Sequence, residues 1–126
     1  MDIETLNTRR VIYGRLLRRQ SETPALPEHR EARWAALMAA HVVGQASLPL
    51  HWDSHVRMLG LAWETRDGAE VAGQLLRLAL VPLGHALARL PAGNVGRATV
   101  NAFRPMEPPP EVRALIAWAA QPQAPL

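Results

Sequence analysis

Three of the chain's five histidines fall in one short stretch, at positions 41, 51 and 55. His51 and His55 are four residues apart, as are His41 and Gln45, and on an α-helix this spacing places two side chains on one face. If one helix ends near Gln45 and Pro49 opens the next, both pairs face the turn between them. Imidazole nitrogens suit zinc, nickel, cobalt, copper or ferrous iron. The stretch therefore indicates a candidate metal site.

One more histidine and two glutamines are candidates for the same site. His85 returns to the histidine end of the bundle if its helix keeps its direction past Pro82, which makes it a candidate fourth ligand. Gln45 and Gln74 lie on predicted helix faces whose other residues are largely apolar. This position indicates a buried layer of hydrogen-bonded side chains. Such a layer would either hold helices in register or line the site behind the metal ligands. Both roles are open for the two glutamines.

His51-Trp-Asp-Ser-His55 has the spacing of two zinc ligands on a helix. A zinc peptidase also needs a glutamate directly after the first histidine as general base, and Trp52 occupies that position. No nucleophile-elbow motif surrounds Ser47 or Ser54, so no catalytic triad is assigned, and Ser47 is interpreted as a helix cap. We therefore expect a binding protein rather than an enzyme.

Two alternatives to a metal-binding protein stay open. One is a structural or protein–protein interaction module without a ligand. In that case tryptophan and leucine side chains form a homodimer or partner surface, and the histidines are buried packing residues. The other is a small enzyme with His51 or His55 as general base, but no nucleophile or acid is evident beside them.

Composition narrows the classes of protein. The chain has 126 residues, 48% of them hydrophobic and 20% charged, and no cysteine. The missing thiols exclude disulfides, thiol catalysis and thiolate metal sites, so any metal must take nitrogen or oxygen ligands. No apolar run approaches the roughly 20 residues of a membrane span, and no secretory signal is evident. We expect a cytoplasmic protein.

Two segments have residues that could bind anions. The first helix carries five arginines, which form either a phosphate-binding or lipid-binding face or simply a solvated one: Arg9, Arg10, Arg15, Arg18 and Arg19. Gly93-Asn94-Val95-Gly96-Arg97 is either an anion cradle, with Arg89 or Arg97 beside it, or a tight turn that needs positive φ. Because the first helix has few aromatic or polar partners for bases, nucleic acid is not an expected ligand.

Apolar periodicity and proline positions predict one all-α domain of about five helices. Its antiparallel hairpin core is expected to be similar in outline to a tetratricopeptide-type helix pair. We expect a break or a kink of the helix at Val81, before Pro82. Val100, Phe103 and Met106 are expected to anchor an extended strap. The predicted segments are an arginine-rich helix and linker (1–26), a helical core (27–90), a proline-rich and glycine-rich strap (91–110), a final helix (111–120) and a frayed tail (121–126).

Five short motifs follow one another in a recognisable order: Ala40-His41-Val-Val-Gly44-Gln45, His51-x-x-x-His55-x-x-Met58-Leu59, Gly73-Gln74-x-x-Arg77, Pro91-x-Gly93-Asn94-x-Gly96 and Phe103-Arg-Pro105-Met106. The series resembles a family of short bacterial proteins described only as a domain of unknown function, over about residues 30–113. In that family the place of Val95 usually holds threonine, and His85 is outside the pattern. The resemblance implies a helical fold and brings no activity.

Overall fold

The structure, a computed structural model, describes residues 3–88, 92–101 and 104–122. Within these ranges the chain is all-α, without a β-strand, so the predicted fold class is confirmed. None of the described helices is long and apolar enough to cross a membrane. The elements are α1 (Ile3–Glu22), a 3₁₀ turn (Pro27–His29), α2 (Arg30–Gly44), α3 (Leu48–Glu64), α4 (Gly68–Ala86) and α5 (Pro110–Ala119).

Helix α2 lies at the centre of the bundle, in contact with α1, α3 and α5. Trp34 and Leu37 are its largest fully buried side chains. Four of its buried residues are alanines, whose small side chains let the neighbouring helices approach closely: Ala35, Ala36, Ala39 and Ala40. The core therefore forms around α2 and positions its C-terminal turn.

Helices α2 and α3 are joined by three residues, so they pack as an antiparallel pair. Ser47 occupies the N-cap position of α3, but its side chain makes no capping hydrogen bond, so the prediction that it caps the helix through its side chain is wrong. Pro49 lies in the first turn, where its missing N–H is no loss. The connection brings the end of α2 and the start of α3 side by side.

Helix α4 continues through Pro82 to Ala86, so of the predicted break or kink at Val81 the break is wrong. Pro82 is exposed, and water can replace the hydrogen bond that its ring nitrogen does not donate. At the other end, the Asp67 side chain accepts a hydrogen bond from the Glu70 backbone N–H and caps the helix. One helix therefore carries both Gln74 and His85.

The described residues between α4 and α5, 92–101 and 104–109, form a non-helical segment that packs against the bundle. Gly93 and Gly96 have φ values of +75° and +80°, so the interpretation of this motif as a turn that needs positive φ matches the backbone. Val100 and Met106 pack against the core. Phe103, the third predicted anchor, lies outside the described residues. So do Arg89 and Pro91.

Helix α1 is attached to the bundle through its arginines as well as its apolar face. The Arg15 guanidinium donates to the backbone oxygens of Ala119 and Gln121 at the end of α5, both at 2.9 Å. The Arg19 guanidinium lies 4.6 Å from the centre of the Trp118 ring, a cation–π arrangement. Two of the five arginines of α1 thus have structural contacts with α5.

We predict that Leu16→Ala destabilises the protein by about 2–5 kcal/mol, because Leu16 is completely buried and truncation leaves a cavity. Urea unfolding followed by circular dichroism measures the change. Val11→Ala is the matched control, since Val11 lies on the same helix with half of its surface exposed, and it should change the free energy of unfolding by less than about 0.5 kcal/mol. Equal losses in both variants would mean that α1 does not pack as described.

Candidate metal centre

Three imidazole rings meet where α2 ends and α3 begins. His41 lies in the last turn of α2, and His51 and His55 lie in the first two turns of α3. All three residues are buried. Their ring centroids are 4.7 to 5.1 Å apart, and one nitrogen from each ring lies within 4.8 Å of the other two. We call these three residues the histidine cluster.

The His41 ring is held by the loop that follows α4. Its Nδ1 lies 2.8 Å from the backbone oxygen of Asn94. A carbonyl can only accept, so Nδ1 carries the proton and Nε2 keeps a free lone pair. Gly96 packs on the ring, and a Cβ there would lie 2.6 Å from the His41 Cδ2 and 2.7 Å from its Nε2. Asn94 closes the loop by donating from its side chain to the oxygens of Asn101 and Arg104.

The tautomer of His55 follows from the orientation of one buried amide. The Gln74 amide nitrogen donates to a Glu70 carboxylate oxygen at 3.1 Å and to the Gly96 carbonyl at 3.0 Å. Both partners are acceptors, which assigns the amide orientation. The Gln74 oxygen must then be the atom 2.7 Å from His55 Nδ1, so Nδ1 donates and Nε2 is free.

Gln74 is in turn held by the buried carboxylate of Glu70, which accepts a hydrogen bond from the Gln74 amide nitrogen. Glu70 also accepts from the Arg97 Nε at 3.1 Å and from the backbone N–H of Ala98. Arg97 in turn pairs with the exposed carboxylate of Glu31 on α2. A continuous series of hydrogen bonds and ion pairs therefore runs from the surface to the histidine cluster, and every member has a partner.

His51 and His85 form a hydrogen-bonded pair across α3 and α4. The His51 Nδ1 lies 3.0 Å from the His85 Nε2, and between two neutral rings one nitrogen donates and the other accepts. If His51 donates, its Nε2 is free in the same way as those of His41 and His55. His85 is only partly buried, so the pair connects the histidine cluster with the protein surface.

Burial keeps the clustered imidazoles neutral. Desolvation lowers the pKa of His51 to about 3, and the neighbouring His55 and His85 add to the effect. Desolvation likewise lowers the pKa of His55 to about 4, partly opposed by its hydrogen bond to Gln74. The pKa of His41 falls well below 6.5 and that of His85 is lowered, in both cases chiefly through desolvation. At neutral pH all four rings can therefore offer lone pairs.

The spacing of the nitrogens is wider than in an occupied zinc site. Zinc–nitrogen bonds of about 2.0–2.1 Å in tetrahedral geometry place ligand nitrogens roughly 3.3 Å apart, whereas the separation here reaches 4.8 Å. Three nitrogens at the larger spacing lie about 2.8 Å from their common centre, so each ring must move inward by less than about 1 Å. The residues therefore fit a metal ion after a small closure of the side chains.

The family model described as "Protein of unknown function (DUF3703)" matches residues 9–116. The chain belongs to the DUF3703 family. The match extends beyond the predicted resemblance over residues 30–113 and confirms the predicted relationship to a family of unknown function. No curated protein and no solved structure matches the chain.

The structure of this DUF3703 protein places each predicted site residue. It brings His41, His51 and His55 together, sets His85 against His51, and puts Gln74 behind His55. The remaining predicted residue, Gln45, is buried at the C-cap of α2. The assignment of the four histidines as ligands stays a prediction.

Sequence reasoning missed the loop and carboxylate contacts of the site. The Gly-Asn-x-Gly motif was a usable signal, because two glycines around an asparagine indicate a backbone in an unusual conformation. Its function here is to hold His41 through Asn94 and Gly96. Nothing in the local sequence indicates that Glu70 and Arg97, far apart along the chain, meet behind Gln74.

We predict that the metal-free protein loses stability as the pH falls from about 6.5 to 4. The folded-state pKa of His55 is lowered to about 4, so below pH 6.5 the unfolded chain binds a proton that the folded chain does not. At pH 5 the difference is worth about 2 kcal/mol for this one residue. Urea titrations at pH 7 and pH 5 measure it.

The control for this prediction replaces His55 with asparagine. In His55→Asn the amide N–H can still donate to Gln74 but does not titrate, so the loss of stability between pH 7 and pH 5 should shrink by about 2 kcal/mol. His29→Asn, outside the histidine cluster, should retain the wild-type loss. A pH dependence unchanged in His55→Asn would contradict the buried neutral state.

Proposed function

We propose that the protein binds a divalent transition metal ion, zinc or cobalt in the first instance, through the Nε2 atoms of His41, His51 and His55. The observation that carries the proposal is the fixed tautomer of two buried rings. His41 and His55 each donate through Nδ1 to an oxygen acceptor, which is how histidine ligands are usually oriented in metal sites. For the third ring, His51, the hydrogen-bond partner of Nδ1 is His85 Nε2.

The site has no carboxylate ligand, so three neutral imidazoles leave the charge of a bound ion uncompensated. The nearest carboxylate, Glu70, lies one side chain behind the cluster through Gln74 and is itself paired with Arg97. Arg77 is near enough to lower the pKa values of His41 and His55, and Glu70 opposes its charge. Because His85 lies on the Nδ1 side of the His51 ring, away from the proposed ligand atom Nε2, a water molecule would complete a tetrahedral ion.

Binding is a better proposal than catalysis for these histidines. A general base works best when its pKa is close to the working pH, whereas the pKa values of His51 and His55 are about 3 and 4. At neutral pH such rings are weak bases that hardly take up protons. They remain good ligands, because coordination needs the neutral ring.

A second candidate function is protein–protein interaction, as a homodimer or with another protein. The observation in its favour is the number of large apolar side chains exposed on α3 and α4, among them Trp63, Leu76 and Leu83. Exposed apolar surface of this kind is typical of a protein–protein interaction site. The two functions use different surfaces and do not exclude each other.

We predict that the chelator-treated protein binds one equivalent of Co²⁺ or Zn²⁺ and is stabilised by it. At a free metal concentration of about 100 times Kd the stabilisation is about 2.7 kcal/mol, which raises Tm by roughly 10 °C for a chain of this size. Calorimetric titration gives the stoichiometry. The visible absorption of bound Co²⁺ reports the coordination geometry.

Two asparagine variants separate the site from adventitious histidine binding. His55→Asn should lose the stoichiometric binding and the rise in Tm, whereas His29→Asn should keep both. The proposal fails if the wild-type protein binds less than stoichiometric metal, or if both variants bind as the wild type does.

We predict that Gln74→Leu weakens metal binding by about 10- to 100-fold while the stoichiometry stays at one. The change removes the acceptor that holds His55 Nδ1–H and so disturbs the orientation of a ligand without removing it. Competition with a chelator of known affinity measures Kd. An unchanged Kd would show that Gln74 does not orient His55 in the metal-bound form.

A further inference from the structure

Helix α4 has its polar residues on its inner face, whereas its exposed face carries only apolar residues. Glu70, Gln74 and Arg77 are buried, and His85 faces His51. Every exposed residue of α4 is glycine, alanine, leucine or proline. Within the described part of the chain, α4 packs mainly on α3 and on the loop that follows it. Among residues 3–88, 92–101 and 104–122, no element covers its outer face, and that face carries no charged residue.

Five of the nine exposed residues of α4 form a heptad stripe in which small and large side chains alternate. Successive residues of the stripe are four, three, four and three positions apart. The average of 3.5 residues is the repeat of the contact positions between two helices of a coiled coil. Leu76 and Leu83 are 56% and 54% exposed. The stripe consists of Ala72, Leu76, Ala79, Leu83 and Ala86.

We propose that α4 pairs antiparallel with α4 of a second copy of this chain, which makes the protein a homodimer. A two-fold axis that passes between residues 77 and 78 places Ala72 of one copy opposite Leu83 of the other. It likewise places Leu76 of one copy opposite Ala79 of the other. Each leucine then meets an alanine, and small residues opposite large ones fill an interface at even thickness. Because the pairing is isologous, one surface supplies both halves of the contact.

Other occupants fit this face less well. A parallel pairing of the same stripe places leucine opposite leucine and alanine opposite alanine. The leucine layers would then be overpacked and the alanine layers would leave cavities. A helix that lies on a membrane surface carries basic residues along its polar edge, but the arginine of α4, Arg77, is buried. A partner with a charged surface would bury its charges against alanine and leucine.

The pairing rests on the second proposed function, interaction, and does not require metal binding. The helix is about 28 Å long, enough for four alternating layers of leucine and alanine. Since its outer face has no charge, dimerisation should change little between low and high salt. The inward residues of α4 stay in the metal centre in both the monomer and the dimer.

The chain has no cysteine, so single introduced thiols report the pairing directly. Ala72→Cys and Leu83→Cys, mixed in equal amounts and oxidised, should form a disulfide-linked dimer. Each variant alone should cross-link at least tenfold more slowly, because in the antiparallel pair identical positions lie about 16 Å apart along the axis. Efficient cross-linking of Ala72→Cys with itself would overturn the antiparallel arrangement.

A charge on the stripe tests the same interface in solution. Light scattering and sedimentation should give a dimer for the wild type and a roughly 100-fold weaker dimer for Leu76→Glu, because two carboxylates would be buried against apolar side chains. Val11→Glu, at a site on α1 that is 50% exposed, should remain dimeric. Circular dichroism checks that both variants are folded.

The outcomes separate the pairing from the broader interaction function. A wild-type dimer that survives Leu76→Glu, and shows no cross-link between positions 72 and 83, overturns the pairing through α4 but leaves an interaction elsewhere on the surface. A wild-type protein that is monomeric at every concentration overturns the homodimer. The metal titration gives its answer independently of both results.

Discussion

The structure depends on the need to satisfy imidazole N–H groups that are buried away from water. A buried donor without a partner costs roughly 1–3 kcal/mol, and the histidine cluster brings three rings into the interior. Asn94, Gln74 and His85 each supply a partner for one ring. Those three partners come from α4 and the loop after it, so the position of both segments is coupled to the cluster.

The arrangement of α4 follows from this constraint. In α4 the glutamate, glutamine, arginine and one histidine all face inward, and every exposed residue is small or aliphatic. Gln74 is completely buried because it must reach both His55 and Gly96. The inner face of α4 carries polar residues of the candidate metal site, and the outer face of the same helix is the proposed dimer surface.

The Gly-Asn-x-Gly motif in the loop after α4 positions the ring of His41, which is far from it along the chain. Positive φ at Gly96 is needed for the turn, and the missing Cβ leaves room for the His41 ring. Asn94 holds the loop through its side chain while its backbone oxygen faces His41. Glu70, Arg97 and Glu31 extend the same contacts to the surface, so the loop is attached to both α4 and α2.

The sequence by itself determined the helices, the hairpin and the meeting of His41, His51 and His55, because these follow from periodicity, from prolines at helix starts and from a connection of three residues. It also indicated the family through the order of its motifs. Only the tertiary structure decided that α4 continues past Pro82, that Gln74 holds His55, and that Glu70 meets Arg97. Those features depend on helix direction and on contacts between residues far apart in the chain, and local spacing contains no information about either.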